Sequence, residues 1–260
     1  MQYRACAKVN IFLKIIGTRG NYHELLSRFM RVPTLYDTLF FVPKQSGALF
    51  ELVGDFTCDL AQNTIYKMFK VLQKEGFDAD VERVMKDFSL RVEKCIPTGA
   101  GLGGGSSDAA TFLKMMNETA GLKLSKEDMT RLGSMVGADV AFFVSEYESA
   151  NVSGIGEIVE YCDEKALDLE IVTPPLSCNT AVVYQTYREY FLQTMDQNSA
   201  YKMQTMSSEE LLRTYDMNAL NDLFAPCLKA YPTLSKFVEE DWFFSGSGSS
   251  FFRIKTVSKG

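Results

Sequence analysis

From Gly99 to Ser107 the chain reads Gly-Ala-Gly-Leu-Gly-Gly-Gly-Ser-Ser, five glycines and two serines in nine residues, and then turns helical. Glycine loses more conformational freedom on folding than any other residue, so such a cluster implies backbone that must approach something closely. A strand, a glycine-rich loop and a helix N-terminus together present free N–H groups and the positive end of a helix dipole. That is the chemistry of phosphate binding. Ser106 and Ser107 add hydroxyls, as N-cap groups or as donors to a ligand. Asp108 suits the dipole but does not help to hold a phosphate.

Three phosphate-loop patterns compete for this stretch. Gly99-x-Gly101-x-x-Gly104 matches the dinucleotide fingerprint literally, but the preceding strand alternates with charges, Pro97 intervenes, and the motif lies mid-chain. A Walker A loop needs Gly-Lys-Ser/Thr after the glycines, which is absent. The third is a lysine-free loop running Pro-x-Gly-x-Gly-Leu-Gly into Ser-Ser-Asp. A flexible linker fits poorly, because Ala109, Phe112, Leu113 and Met116 mark one clean apolar helix face straight afterwards.

Other chemistries find little material. His23 is the single histidine, which removes most zinc constellations and leaves a serine or cysteine triad without a nucleophile elbow. The six cysteines (Cys6, Cys58, Cys95, Cys162, Cys178, Cys227) are scattered, with no C-x-x-C, as buried thiols of a reducing cytoplasm are. A net charge of −6 argues against nucleic-acid or membrane-surface partners, and no apolar run is long enough to span a bilayer. The chain alternates as a strand almost from Met1, so no signal peptide is expected. The expectation is a cytoplasmic chain without a protein-built metal site.

At 260 residues and 46% apolar, the chain suffices for a full core. Strands are predicted over 3–16, 28–43, 47–54, 88–96 and 168–175, with 17–25 as a loop. Helices are predicted over 64–76, from the glycines to Gly121, over 125–137 behind an S-x-x-D cap, and around 179–194, 207–216 and 218–226. The aromatic runs of "WFFSGSGSSFFRIKT" (242–256) read as a hairpin. The mix predicts an α+β fold in two lobes, 1–150 and 151–260, sharing a cleft.

The stretch "PTGAGLGGGSSDAA" resembles the phosphate loop of the GHMP kinases. Three further blocks, "AKVNIFLKIIGTRGNYHEL" (7–25), "VGADVAFFV" (136–144) and "SGSGSSFF" (245–252), resemble that superfamily. The first two narrow the likeness to its 4-diphosphocytidyl-2-C-methyl-D-erythritol kinases. The four blocks span most of the chain, and residues 185–240 carry little of the likeness.

The resemblance implies a GHMP fold with an N-terminal ATP-binding lobe and a smaller C-terminal lobe. It implies ATP with Mg²⁺ as phosphoryl donor, and a small cytidine diphosphate-linked methylerythritol as acceptor, phosphorylated on its 2-hydroxyl in the non-mevalonate route to isoprenoids. The protein would be a monomer or a homodimer. Lys8 and Asp139 would flank the acceptor hydroxyl, with Asn10 on the same strand face as Lys8. Tyr22 and His23 would read the cytosine, Tyr184 would form the opposite wall, and Thr180 would touch substrate. Pro97, Thr98, Gly99, Ala100, Gly101, Leu102, Gly103, Gly104, Gly105, Ser106 and Ser107 would cradle the phosphates, with Asn63 and Lys94 near the adenine. Each has an ordinary alternative: a surface lysine for Lys8, an N-cap for Asp139, a solvated loop for His23, a core ring for Tyr184 or Phe29, an exposed strand lysine for Lys94.

Several positions depart from the family pattern. "GNYH" is one residue shorter than the usual D-G-Y-H block, Cys6 replaces a proline, and "GADVA" lacks the proline that commonly follows the valine. None touches Lys8 or Asp139. Three alternatives remain: a GHMP kinase for mevalonate or homoserine, a non-catalytic nucleotide-binding relative, and a dinucleotide-dependent oxidoreductase.

Overall fold

The computed structural model of the chain describes residues 1–20 and 22–255. Two long strands come first, β1 (Tyr3–Arg19) and β2 (Tyr22–Pro43), then a short β3 (Leu52–Val53). Helices α1 (Thr64–Leu72) and α2 (Asp78–Asp87) follow, then β4 (Phe88–Glu93), α3 (Gly104–Ala120), α4 (Lys126–Ser134) and α5 (Val140–Ser145). Next come β5 (Ser149–Gly154), β6 (Ile158–Tyr161) and β7 (Leu169–Val172), and then α6 (Thr180–Tyr190), α7 (Gln197–Thr205), α8 (Ser208–Thr214), α9 (Met217–Leu220) and α10 (Phe224–Ala230). The chain closes through β8 (Phe243–Phe244) and β9 (Phe251–Ile254).

The contacts divide the chain into two units, but not at one point. The first unit holds residues 1–7, 33–96 and 103–146; the second holds 8–32, 97–102 and everything from 147. A single break near residue 150 was expected, and the last crossing, between Glu146 and Tyr147, lies close to it. Two of the four earlier crossings fall within β1 and β2, which are 17 and 22 residues long and find different neighbours along their length; the other two bracket residues 97–102 of the glycine stretch.

In the first unit, the C-terminal part of β2 pairs antiparallel with β4 from Thr38↔Glu93 to Pro43↔Phe88. Strand β3 runs parallel to β4 through Leu52↔Leu90. Helices α1 and α3 pack together, burying Ile65, Met68, Phe69 and Leu72 on one and Phe112, Leu113 and Met116 on the other. Fully burying such side chains stabilises by about 1.5–3 kcal/mol each, and this fixes the axis of α3. Its ends are set by left-handed glycines, Gly103 (φ 71°) before the first turn and Gly121 (φ 69°) after the last. Helix α4 starts at the predicted capping box of Ser125 and Asp128.

In the second unit, the N-terminal part of β2 pairs antiparallel with β5 from Leu25↔Gly154 to Met30↔Ser149, and β5 pairs with β6. A separate sheet runs β7-β9-β8, with Phe243↔Phe252 closing the predicted aromatic hairpin. Along β1 every residue from Ala7 to Ile15 is buried, so Lys8, Asn10 and Lys14 need polar partners inside the protein.

Several expectations need correction. The predicted loop over 17–25 is mostly strand: β1 runs to Arg19, Gly20 turns at φ 59°, and β2 resumes at Tyr22. Of the strand over 47–54 only Leu52–Val53 pairs, and β4 stops at Glu93. The helix predicted over 64–76 does end at Gly76, whose non-helical backbone (φ 95°) makes the kink between it and α2. The segment 218–226 is two short helices, α9 and α10. Elements α2, α5, α7, β5 and β6 were not anticipated.

Candidate active site

On β1, the Lys8 side chain is 4% exposed. Its Nζ donates to Asn10 Oδ1 at 2.7 Å and to the Gly101 carbonyl at 3.1 Å, and lies 4.7 Å above the Phe29 ring. A surface lysine this is not. Asn10 shares the strand face, as period two requires, and its Nδ2 donates to Ser27 Oγ at 2.9 Å, which donates in turn to the Phe12 carbonyl. Asn10, expected to touch substrate, therefore also aims the Lys8 ammonium.

The first half of the glycine loop, Pro97–Leu102, belongs to the same unit. Gly99 and Gly101 both adopt positive φ, 66° and 75°. A Cβ on Gly101 would lie 2.2 Å from the Ser245 carbonyl oxygen, so no other residue fits. Lys8 N–H donates to the Leu102 carbonyl at 3.0 Å, Ser250 N–H to the Ala100 carbonyl at 3.1 Å, and Ser245 Oγ to the Gly101 carbonyl at 3.0 Å. The C-terminal glycine motif thus clasps the loop directly. With Gly103 also left-handed, alternate glycines turn the backbone into a run whose amides suit an anion.

The other half, Gly103–Ser107, opens α3 in the first unit. Gly103 is the N-cap, so Ser106 and Ser107 lie inside the first turns and do not cap the helix. Ser107 is buried, and its hydroxyl donates to the Cys6 carbonyl at 2.8 Å; Ser106 is half-buried. Thr64, missed at the sequence level, donates to the Gly105 carbonyl at 2.6 Å. Asn63, expected near the adenine, caps α1 by accepting from Ile65 N–H at 2.9 Å. Pro97, Thr98, Gly99 and Gly105 are exposed.

Lys94 is neither exposed nor unpaired. Its Nζ lies 2.5 Å from Asp37 Oδ2 and 2.7 Å from Asp108 Oδ2, with the lysine side chain 14% exposed and Asp37 fully buried. Asp37 Oδ1 also accepts from the N–H groups of Cys95 at 2.6 Å and Ile96 at 2.8 Å. Burial pushes the Asp108 carboxyl up to about 7; the Lys94 charge opposes that rise and the Asp37 charge adds to it. Burial alone would lower the Lys94 ammonium, but the two carboxylates outweigh it and hold it above the usual lysine range. The Asp108 carboxyl rises chiefly because it is buried, and the Lys94 ammonium rises because two carboxylates hold it. Asp37 could have been suspected as a lone charge inside the apolar strand "LYDTLFF".

Asp139 is half-buried and precedes α5 with helical backbone (φ −67°, ψ −15°). It thus holds the N-cap position without a side-chain capping bond. Asp139 belongs to the first unit and Lys8 to the second.

His23 lies on β2, 7% exposed. Its ring meets Tyr184 at 5.2 Å, tilted by 34°, and Tyr187 edge-on at 5.6 Å. Among the described residues its Nε2 has no hydrogen-bond partner, although it is buried. Burial, and then the Arg188 charge, holds its pKa below the usual histidine value, which favours the neutral imidazole. Tyr22 beside it is 63% exposed. Thr180, the first residue of α6, is exposed at the residue level, and its hydroxyl shares a 2.8 Å hydrogen bond with Ser247 of the C-terminal glycine motif. The structure thus brings Lys8, Asn10 and Gly101 together, His23 with Tyr184, and Thr180 with Ser247. Tyr187 and Ser27 went unrecognised, being ordinary core types in sequence.

Comparison with known proteins gives a consistent result. The GHMP kinases N terminal domain family matches residues 63–147. A 4-diphosphocytidyl-2-C-methyl-D-erythritol kinase of Sulfurimonas denitrificans is 53% identical, over 97% of this chain and 96% of its own length. The crystal structure of a 4-(cytidine 5'-diphospho)-2C-methyl-D-erythritol kinase superposes with TM-score 0.72 at 27% identity, covering 98% of this chain and 90% of the other. The mevalonate kinase of Methanococcus jannaschii shares the fold alone, with TM-score 0.64 at 13% identity, over 98% of this chain and 90% of that one.

Proposed function

The chain belongs to the 4-diphosphocytidyl-2-C-methyl-D-erythritol kinase family, and on that premise we propose that it transfers the γ-phosphoryl group of ATP to the 2-hydroxyl of that substrate, a step in the non-mevalonate route to isoprenoids. The observation that carries the residue assignment is the buried Lys8 ammonium, held by Asn10 and by the glycine loop's own Gly101 carbonyl.

Phosphoryl transfer passes through a loose transition state, so positioning and charge neutralisation do most of the work. The loop Pro97–Ser107 cradles the triphosphate with backbone amides at the start of α3, beside Asn63. Lys8 offsets charge on the moving phosphoryl group, and Asp139 accepts or orients the proton of the attacking hydroxyl. The new O–P bond forms as the bond to ADP breaks, and the hydroxyl proton leaves by way of Asp139. Among the described residues no group of three His, Cys, Asp or Glu side chains is placed to hold a metal ion. Mg²⁺ fits as a partner of the nucleotide, held by phosphate oxygens and water, where it supplies further charge neutralisation.

Recognition of the acceptor falls to His23, whose neutral imidazole has an unpartnered buried nitrogen to offer a base edge. Tyr22 stacks on the base and Tyr184 forms its opposite wall, Thr180 touches substrate, and Phe29 lines the erythritol portion. A mevalonate or homoserine kinase has no base for these residues to read. Among the described residues no helix is long and apolar enough to cross a membrane. We place the reaction in the cytoplasm, in a monomer or homodimer.

The test is coupled ADP release with ATP, Mg²⁺ and one acceptor at a time: the cytidyl substrate, mevalonate, homoserine or galactose. Turnover is expected with the cytidyl substrate alone, falling by about 10²–10⁴ in Asp139→Asn. Turnover of another alcohol sinks the substrate assignment, and silence with all four despite ATP binding favours a non-catalytic relative.

A further inference from the structure

Among the buried charged clusters that the mechanism leaves unused, one lies at the stems of the glycine loop. Asp37, on β2, accepts the N–H groups of Cys95 and Ile96, the last two residues before Pro97. Its other oxygen holds Lys94, which reaches on to Asp108 in α3. A chain of hydrogen bonds therefore runs from the residues entering the loop to the helix leaving it. The helix start is laid against the same groups: a Cβ on Gly104 would come 2.9 Å from the Ile96 side chain and 3.7 Å from Asp37 Oδ2. All of these residues belong to the first unit.

We propose that Asp37, Lys94 and Asp108 form one positioning cluster that clamps the two stems of the glycine loop for the triphosphate, so that Lys94 acts on the nucleotide through the loop and not at the adenine. The proposal rests on the reading of Pro97–Ser107 as the nucleotide loop. Its physical basis is preorganisation. A loop with five glycines between Gly99 and Ser107 has large conformational entropy to lose when it binds, and fixing its stems beforehand reduces that loss. A cluster serving only fold stability would have no reason to bond the two amides next to Pro97. It would also have no reason to leave Asp108 Oδ1 buried without a partner among the described residues, a feature that costs stability.

Calorimetric titration of ATP and of inorganic tripolyphosphate, each with Mg²⁺, separates the two roles of Lys94, because tripolyphosphate has no adenine. Asp37→Asn, which keeps the shape but turns an amide N–H toward Lys94, should weaken both ligands by the same factor, about ten-fold or more. Its KM for the cytidyl acceptor should stay within about two-fold of wild type, which a general loss of structure would not allow. Lys94→Met should weaken both ligands equally, and Lys94→Met combined with Asp108→Asn should regain part of the loss by removing one buried charge. If Lys94→Met does not fold, the double variant and Asp37→Asn carry the test. Loss of ATP with retention of tripolyphosphate in a Lys94 variant overturns the clamp in favour of an adenine contact. Unchanged ATP affinity in Asp37→Asn, or parallel loss of acceptor binding, overturns it as well. Wild-type protein that binds neither ligand while binding the acceptor refutes the loop reading itself, a separate outcome.

Discussion

The phosphate end and the base end of the proposed site are built on opposite rules. Around the glycine loop most polar groups are paired: Asp37 accepts from two amides and Lys94, and the carbonyls of Ala100, Gly101, Leu102 and Gly105 all have donors, while Asp108 Oδ1 is left without a partner among the described residues. Around His23 the walls are rings, and the buried Nε2 and the Tyr187 hydroxyl have no partner among the described residues. A triphosphate is recognised by charge and by many weak donors, so its cradle must be held in shape before it arrives. A base is recognised by a few hydrogen bonds, and a nitrogen left unsatisfied until the base binds converts its desolvation cost into selectivity. The first design spreads its energy over the backbone, and the second concentrates it in one side chain.

The largest effect should follow from distorting the paired end. Gly101→Ala puts a methyl group onto the Ser245 carbonyl oxygen and demands φ 75° of an L-residue. The loop must shift, and with it the carbonyl that holds Lys8. Turnover should fall about 10³-fold or more, because both the proposed cradle and the lysine proposed as catalytic move, and a misplacement of about 1 Å alone can remove 10²-fold. Turnover within a factor of ten of wild type would show that the loop is not shaped in advance.

The unpaired end should break through a single residue and lose selectivity first. His23→Leu keeps the ring contacts roughly filled but removes the nitrogen, and kcat/KM for the cytidyl substrate should fall about 10²-fold, corresponding to about 3 kcal/mol. Affinity for ATP should not move. The pH dependence has a definite sign. The His23 pKa is held low by burial and by Arg188, so the neutral ring persists at neutral pH, and acceptor affinity should be lost as pH falls through that depressed value, below the usual 6.5. Wild-type acceptor KM that already rises above about pH 6.5, or that does not respond at any acid pH at which the fold persists, would contradict the role.

What the sequence made legible follows from how local each signal is. The glycine loop, the apolar face of α3 and the capping box at Ser125 are written in consecutive or helically spaced residues, and each is found where expected. The hairpin carrying His23 was hidden because Gly, Thr, Arg and Asn resemble loop residues, while a tight turn at Gly20 lets the strands run almost to it. Lys94 was expected near the adenine, with a solvated strand lysine as the alternative, and neither reading foresaw its partners because Asp37 and Asp108 lie 57 and 14 positions away. Ion pairs of that range leave no periodicity. Tyr187 was hidden in the same way: its contact with His23 joins β2 to α6, and only the fold brings them together.

The smallest effect tests whether the paired end is as tightly balanced as it looks, and it is read on stability instead of turnover. Burial raises the Asp108 carboxyl to about 7 in the folded protein, against the usual value near 3.9 in an unfolded chain. A raised carboxyl binds more protons folded than unfolded, so stability must fall as pH rises between those two values, and the loss levels off above the folded value. One proton corresponds to a slope of at most about 1.4 kcal/mol per pH unit, and the Lys94–Asp37 partnership reduces it because the cluster titrates as a unit. Chemical denaturation of wild type between pH 5 and pH 8 should show this downward slope, and Asp108→Asn should flatten it, since the amide has no charge to bury. An unchanged slope in Asp108→Asn would mean that the cluster keeps both carboxylates ionised around Lys94 across that range. In that case the buried Oδ1 would be a permanent expense of holding α3 to the loop stem, and not a site where a proton relieves it.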